Sequence, residues 1–474
     1  MRFSVAAAET DISHAAASFI DSGKKSSLLL PHINPRLFSA PAMATETVQT
    51  EPVTSDAMST GTVAIEEPSR PHYTWKKSFN DWLSQTWSSQ YSDEKVESEL
   101  LSCLPFFPDG DATRRAKIIN TDIGNGNYIH EFFIENTQKP KKPDQVRDIV
   151  LVHGYAASLG LFIDNFDDLS SIPGIKIHAI DLLGFGFSSR PHFPKFPSET
   201  EKDIHKVEDW FIDSFEQWRL KRNLDRFTLI GHSFGGYLSC AYALKYNKPT
   251  QAGPNVLDKL VLVSPVGVER SRHSLFNNIK DDGKQNDVDI QKEIKQNQEE
   301  VVSQDADTST DENRYPTWLS YMWKRNYSLF SIIRVAGPAK SKWISGWTTR
   351  RFAHKYRENP VFFQNMHNYI YRVFNGKGSG EYALTRVLGV GALAKLPLID
   401  RCPEKFAAMN LPTYWVYGDK DWMNEKAGLE MTKDINRLAG KKLAHYDIIS
   451  NAGHHVYLDN PPSFAHNLFK FLEM

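Results

Sequence analysis

Residues 227–236 impose the tightest constraint on what this chain can become. An apolar run, Phe227-Thr228-Leu229-Ile230, leads into Gly231-His232-Ser233-Phe234-Gly235, and a helix-like segment follows from Gly236. A G-x-S-x-G pentapeptide in that setting makes a sharp strand-to-helix turn that lifts the serine hydroxyl clear of a sheet. Small residues at both ends let the backbone take a turn that a Cβ would oppose. Alone the pentapeptide is a weak pattern. The strand before it and the helix after it make Ser233 a candidate nucleophile rather than an ordinary loop serine.

A serine nucleophile needs a histidine to take its proton and a carboxylate to orient that histidine. A second apolar run, Thr413 to Tyr417, ends in Gly418-Asp419-Lys420-Asp421-Trp422, and a third, His445 to Ile449, leads into Asn451-Ala452-Gly453-His454-His455. The order along the chain is therefore serine, acid, histidine. We assign Ser233 as nucleophile, Asp421 as acid and His454 as base, with Asp419 the rival acid and His455 the rival base. A single Asp or His in such a place is ordinarily a solvated loop residue. Three, in this order at the ends of three strands, argue against that reading.

Acyl transfer builds negative charge on a carbonyl oxygen, which preorganised backbone N–H groups stabilise. Asp148-Ile149-Val150-Leu151-Val152 reads as a buried strand, and His153-Gly154-Tyr155 follows it. The amides of Tyr155 and of Phe234 are the candidate oxyanion donors, and His153 reads as a packed residue bracing the loop.

Composition sets outer limits. The 474 residues carry 56 basic and 57 acidic side chains, so no global field favours nucleic acid. Three scattered cysteines, Cys103, Cys240 and Cys402, suggest a reducing compartment rather than a disulfide scaffold. No stretch approaches the roughly 18 apolar residues of a transmembrane helix, so membrane contact is expected to be peripheral. Nothing in the sequence calls for a metal or cofactor.

The chain divides unevenly. Residues 1 to 70 are rich in Ser, Ala, Thr and Pro and read as a disordered tail or transit peptide. Lys24, Lys25 and Arg36 ahead of Leu37-Phe38-Ser39 suggest mitochondrial targeting, whereas Glu9, Asp11 and Asp21 argue for a cytosolic tail or a start at Met43. Trp75, Phe79 and Trp82 fall on one helix face, expected to dock on the body of the fold. Strands at 128–134, 148–152, 176–180 and 259–264 and a helix near 203–220 alternate as a mostly parallel α/β sheet should. A first part of the core, 71–268, and a second, 401–474, flank an inserted helical cap at 269–400. Within it, residues 281–312 carry net charge −8 and read as a disordered insertion, while 316–374 carry net +9 among many aromatics. Lys324, Arg325, Arg350 and Arg351 are the expected contacts to anionic lipid.

Several stretches together resemble one known group: Asp181-Leu182-Leu183-Gly184-Phe185-Gly186-Phe187-Ser188-Ser189-Arg190-Pro191, Trp210 to Glu216, Gly231 to Tyr237 and Gly378-Ser379-Gly380-Glu381. The group is the α/β-hydrolase subfamily of lysophosphatidate acyltransferases, N-acyl-phospholipid lipases and fungal cardiolipin-specific deacylases. The resemblance runs from about Trp75 to the C-terminus. It implies an α/β-hydrolase fold with a cap and a glycerophospholipid substrate, and supports Ser233, His454 and Asp421 in the roles given above. It also implies that His454 and Asp459 form the H-x₄-D pattern associated with acyltransferase activity; the residue-level alternative is that Asp459 caps the helix before Pro461-Pro462. Expected on this basis is a serine acyl hydrolase of phospholipid, with cardiolipin favoured. The alternatives are a lysophosphatidate acyltransferase using acyl-CoA and a non-catalytic lipase activator or lipid-binding protein. Mitochondrial, cytosolic and lipid-droplet locations all stay open.

Overall fold

The computed structural model describes residues 73–140, 147–248, 255–271, 273–275, 323, 325–389 and 392–474. The expected transit peptide, the acidic insertion at 281–312 and Lys324 lie outside these residues.

Two helices, α1 (Trp75–Trp87) and α2 (Asp93–Leu101), precede a hairpin of β1 (Arg114–Gly124) and β2 (Asn127–Asn136). Next come β3 (Arg147–Val152), α3 (Ile163–Ser170), β4 (Ile175–Ile180), α4 (Glu201–Lys221), β5 (Phe227–His232), α5 (Phe234–Tyr246) and β6 (Leu257–Val263). The cap helices α6 (Leu329–Val335), α7 (Ala339–Glu358) and α8 (Pro360–Asn375) follow. The chain then completes the sheet with β7 (Thr413–Gly418), α9 (Glu425–Ala439) and β8 (Ala444–Ile449), and ends in α10 (Val456–Asp459) and α11 (Pro461–Leu472). One sheet of eight strands results, ordered β1-β2-β4-β3-β5-β6-β7-β8. It is parallel from β4 to β8, with β2 antiparallel to both β1 and β4.

Central strands are apolar on both faces because helices cover both sides. Alternation assigns their side chains: Val150 and Val152 join the core under α4, α5 and α9, while Ile149 and Leu151 join the core under α3, α8 and α11. In β6, Leu260 and Leu262 face the first core, Val261 and Val263 the second. The sheet thus holds the ends of β3, β5, β7 and β8 rigidly, and the loops beyond those ends form the site.

One expectation about packing is corrected in part. Of the expected face, Trp75 and Phe79 are exposed and Trp82 is half-buried; Leu83 and Trp87 are exposed as well, and the helix docks through its polar side. Ser78 Oγ donates to the Pro338 carbonyl at 2.6 Å, Gln85 Nε2 to Asn368 Oδ1 at 3.2 Å, and Asp81 pairs with His367 at 3.2 Å. These bonds tie α1 to the Pro338 carbonyl just before α7 and to His367 and Asn368 of α8.

Candidate active site

Ser233 sits between β5 and α5 with φ 53° and ψ −116°, a left-handed conformation rare for a residue with a Cβ. The neighbouring glycines permit it. A Cβ at Gly235 would lie 2.4 Å from the His153 carbonyl oxygen, and one at Gly231 2.4 Å from Ser239 Oγ. Helix α5 is therefore seated flush against the end of β3.

Ser233 Oγ and His454 Nε2 are 2.9 Å apart, although 221 positions separate them in the chain. The other ring nitrogen, Nδ1, lies 3.1 Å from Asp421 Oδ1. Asp421 is almost wholly buried, and its Oδ1 also accepts the Met423 N–H at 3.1 Å. Trp422 lies with its ring 5.1 Å from that of His454, tilted by 47°.

The rivals have other partners. Asp419 Oδ1 accepts the Ala452 N–H at 3.0 Å. Burial works against its charge, but the amides of Asn451 and Ala452 hold its carboxyl below the usual range. His455 is kept neutral: burial, reinforced by the Arg351 charge and the neighbouring imidazoles, pushes it well below the ordinary histidine value. Its ring packs at a tilt against His232 and Tyr457, and it is His454 that reaches the serine.

His232 has a use that sequence reasoning missed. Its Nε2–H donates to the His454 carbonyl at 2.9 Å, and burial holds the ring well below the usual pKa, hence neutral. The motif position directly before the serine was the available signal.

The candidate oxyanion loop adjoins the serine. A Cβ at Gly154 would stand 2.9 Å from Ser233 Cβ, which brings Tyr155 beside the nucleophile. The Phe234 N–H, in the first turn of α5, has no intrahelical acceptor by position. The Tyr155 ring is fixed between Phe185 and Phe330, at 6.0 and 5.7 Å. His153 braces the loop: its Nδ1–H donates to the Gly154 carbonyl at 2.7 Å and its Nε2 accepts the Leu182 N–H at 3.1 Å.

Asp181 takes the same kind of role one loop further out. Its two carboxylate oxygens accept the N–H groups of Leu159 and Phe187, each at 2.8 Å, so one side chain orders both loops. Gly184, at φ 80°, lies against Gly380, where any Cβ would strike the Gly380 amide nitrogen at 2.4 Å. Glu381 beside it is buried and pairs with Arg334 of α6 at 2.6 Å. Two of the stretches that carried the resemblance are thus one structural joint between core and cap.

Asp459 does not cap α11. Asn460 does, its side chain accepting the Ser463 N–H at 3.3 Å. Asp459 Oδ2 accepts the Gly453 N–H at 2.9 Å, and Oδ1 pairs with Arg351 at 3.1 Å. Arg351 was expected on the lipid-facing surface. It is largely buried instead, drawn inward by Asp459. Arg325 and Arg350 are exposed. Among the described residues no group of three or more His, Cys, Asp or Glu is placed to hold a metal ion, and no helix is long and apolar enough to cross a membrane.

Comparison with known proteins agrees with this architecture. Residues 149–461 match the family described as alpha/beta hydrolase fold. A protein of Oryza sativa subsp. japonica named "Probable 1-acylglycerol-3-phosphate O-acyltransferase" is 30% identical, over 70% of this chain and 69% of its own length. "Protein ECM18" of Saccharomyces cerevisiae (strain ATCC 204508 / S288c) is 32% identical, over 71% and 72%. "1-acylglycerol-3-phosphate O-acyltransferase ICT1" of the same yeast is 28% identical, over 84% and 99%. By the family match and by the share of each relative it spans, this chain belongs to the alpha/beta hydrolase family, in company with proteins named as lysophosphatidate acyltransferases.

Proposed function

We propose that the protein is a serine acyl hydrolase of glycerophospholipids, with cardiolipin the favoured substrate. The observation that carries this reading is the continuous relay Ser233–His454–Asp421, at 2.9 and 3.1 Å. His454 Nε2 takes the Ser233 proton as Oγ attacks an ester carbonyl, and Asp421 stabilises the imidazolium through Nδ1–H. The amides of Tyr155 and Phe234 receive the oxyanion. His454 then protonates the departing alcohol, and the acyl chain stays on Ser233 until an acceptor removes it. With water as acceptor the product is a fatty acid.

The names of the relatives favour a second reading. There Ser233 is acylated from acyl-CoA, and a lysophosphatidate hydroxyl is the acceptor. A purely lipid-binding role would leave the relay without a use. The preference for cardiolipin rests on the resemblance to fungal deacylases and on the basic, hydroxyl-rich segment before Met43, which also supports a mitochondrial location.

Docking on an anionic membrane belongs to the same reading. Trp75 and Trp87 are 61% and 67% exposed, the exposed Lys76 and Lys77 follow Trp75 in the first turn of α1, and Trp343 and Arg350 of α7 are exposed as well. Such rings sit well at the headgroup level of a bilayer.

Purified protein incubated with labelled cardiolipin, and with labelled lysophosphatidate in the presence and absence of acyl-CoA, tests the proposal. Fatty acid release from cardiolipin supports the first reading, and phosphatidate formed only with acyl-CoA supports the second. No turnover in any arm overturns both.

A further inference from the structure

We infer that Asp459 is a positioning residue that ties the cap to the histidine loop, and is not the acid of a separate acyl-transfer motif. This rests on the serine mechanism proposed above.

Both nitrogens of His454 are already engaged, Nε2 with Ser233 and Nδ1 with Asp421. Asp459 therefore has no ring atom of His454 to act on, whatever the H-x₄-D spacing suggests. Its own oxygens are also engaged. Oδ2 holds the N–H of Gly453, the residue before the base, and Oδ1 holds Arg351 of α7. Arg351 Nη2 reaches the His455 carbonyl as well, at 3.4 Å. Cap and loop thus meet on both sides of His454.

Two further features show that this contact is built in. Helix α7 leaves helical geometry at Phe352 (φ −121°, ψ 18°), the residue after Arg351, and the Phe352 side chain is buried. The remainder of the loop is clamped from the core, with Ala452 N–H on Asp419 and the His454 carbonyl on His232. Asp459 supplies the strut that runs to the cap. A displacement of α7 is passed through Arg351 and Asp459 to Gly453, and so to the gap between Nε2 and Oγ. A misplacement of about 1 Å there lowers the rate by up to roughly a hundredfold.

The test uses the full chain. Labelling of Ser233 by a small fluorophosphonate is timed, and kcat and KM are measured on a soluble short-chain ester, with melting temperatures taken alongside. Asp459→Ala is expected to slow labelling and lower kcat by about tenfold to a hundredfold with KM unchanged. Asp459→Asn recovers part of the loss, because its amide oxygen still accepts the Gly453 N–H while the ion pair is gone. Arg351→Ala matches Asp459→Asn, and the double variant falls no further, since both changes break one strut. If Asp459→Ala fails to fold, the Asn and Arg351 variants decide.

Labelling of all variants at the wild-type rate overturns the inference. So does a defect confined to transfer from acyl-CoA with labelling unchanged, which would make Asp459 an acyltransfer residue. Failure of the wild-type protein itself to label refutes the serine mechanism instead.

Discussion

Asp419 and Asp421 hold the same loop by different atoms: Asp419 takes the backbone N–H of Ala452, and Asp421 takes the imidazole of His454. Two acids in one short turn thereby divide the work of shaping the loop and supporting the charge that forms on it. Substitution should separate them. Asp421→Asn is expected to lower kcat by about four orders of magnitude, because the amide favours the wrong tautomer of the base. Asp419→Asn removes part of one backbone bond and is expected to cost about 1 kcal/mol of stability with a modest loss of rate. Steady-state kinetics beside chemical denaturation checks both, and a larger kinetic loss at Asp419 would move the acid by two residues.

The left-handed backbone of Ser233 gives a second expectation. Ser233→Ala should abolish turnover and keep the fold, since only a hydroxyl at a tight turn is removed. Ser233→Gly should be equally inactive yet more stable than Ser233→Ala by roughly 1 kcal/mol, because glycine takes a positive φ without strain. Urea midpoints of the two variants decide it. A glycine variant weaker than the alanine one would mean that the turn stores no strain.

Docking on lipid can be read by vesicle sedimentation. Trp75→Ala with Trp87→Ala should weaken binding to neutral and cardiolipin-rich vesicles alike. Arg350→Glu should weaken binding to the anionic vesicles alone, by about 2 kcal/mol, and the difference should shrink in high salt. Binding indifferent to lipid charge and to all three changes would leave these side chains without a membrane role.

His178 links stability to pH. Its Nδ1 lies 2.7 Å from Glu131 and its Nε2 3.0 Å from Asp148. Burial opposes its charge, but the two carboxylates hold its pKa above 6.5. Burial likewise opposes the charge of Glu131, and His178 with Arg222 holds its pKa below 4.5. The raised histidine stabilises the fold fully below 6.5 and loses that effect as pH rises through its folded value. The lowered glutamate stabilises it above 4.5 and loses that effect as pH falls through its own folded value. The advantage of wild type over His178→Gln should therefore peak between these limits and decline towards alkaline pH. Melting curves from about pH 4 to about pH 9 test this. An advantage that grows with pH would show that His178 is held neutral.

Much of the fold was legible because buried parallel strands are written as short apolar runs, as in Ile149 to Val152 and Leu260 to Val263. Strand β1 was not. It is a charged, half-exposed edge strand, Arg114 to Gly124, without such a run. The Asn125-Gly126 turn, with φ of 55° and 72°, was the signal that a hairpin preceded β2. The sequence brought Ser233, Asp421 and His454 to notice through their turns, and these are the three side chains found in contact. Orientation was the weaker inference. A count of charges over 316–374 cannot distinguish Arg350, facing solvent, from Arg351 beside it, turned inward onto Asp459. Nor does an apolar helix face say which side is covered, as Ser78 and Gln85 of α1 show.

Strand β6 pairs with β7, yet the whole cap is threaded between them. On a ribosome six of the eight strands emerge before the cap, and β6 then waits as an unpaired edge bearing Val261 and Val263 until β7 is made. An open apolar edge invites pairing with other chains. The long excursion that builds the cap thus also sets how much chain must be made before the sheet can close.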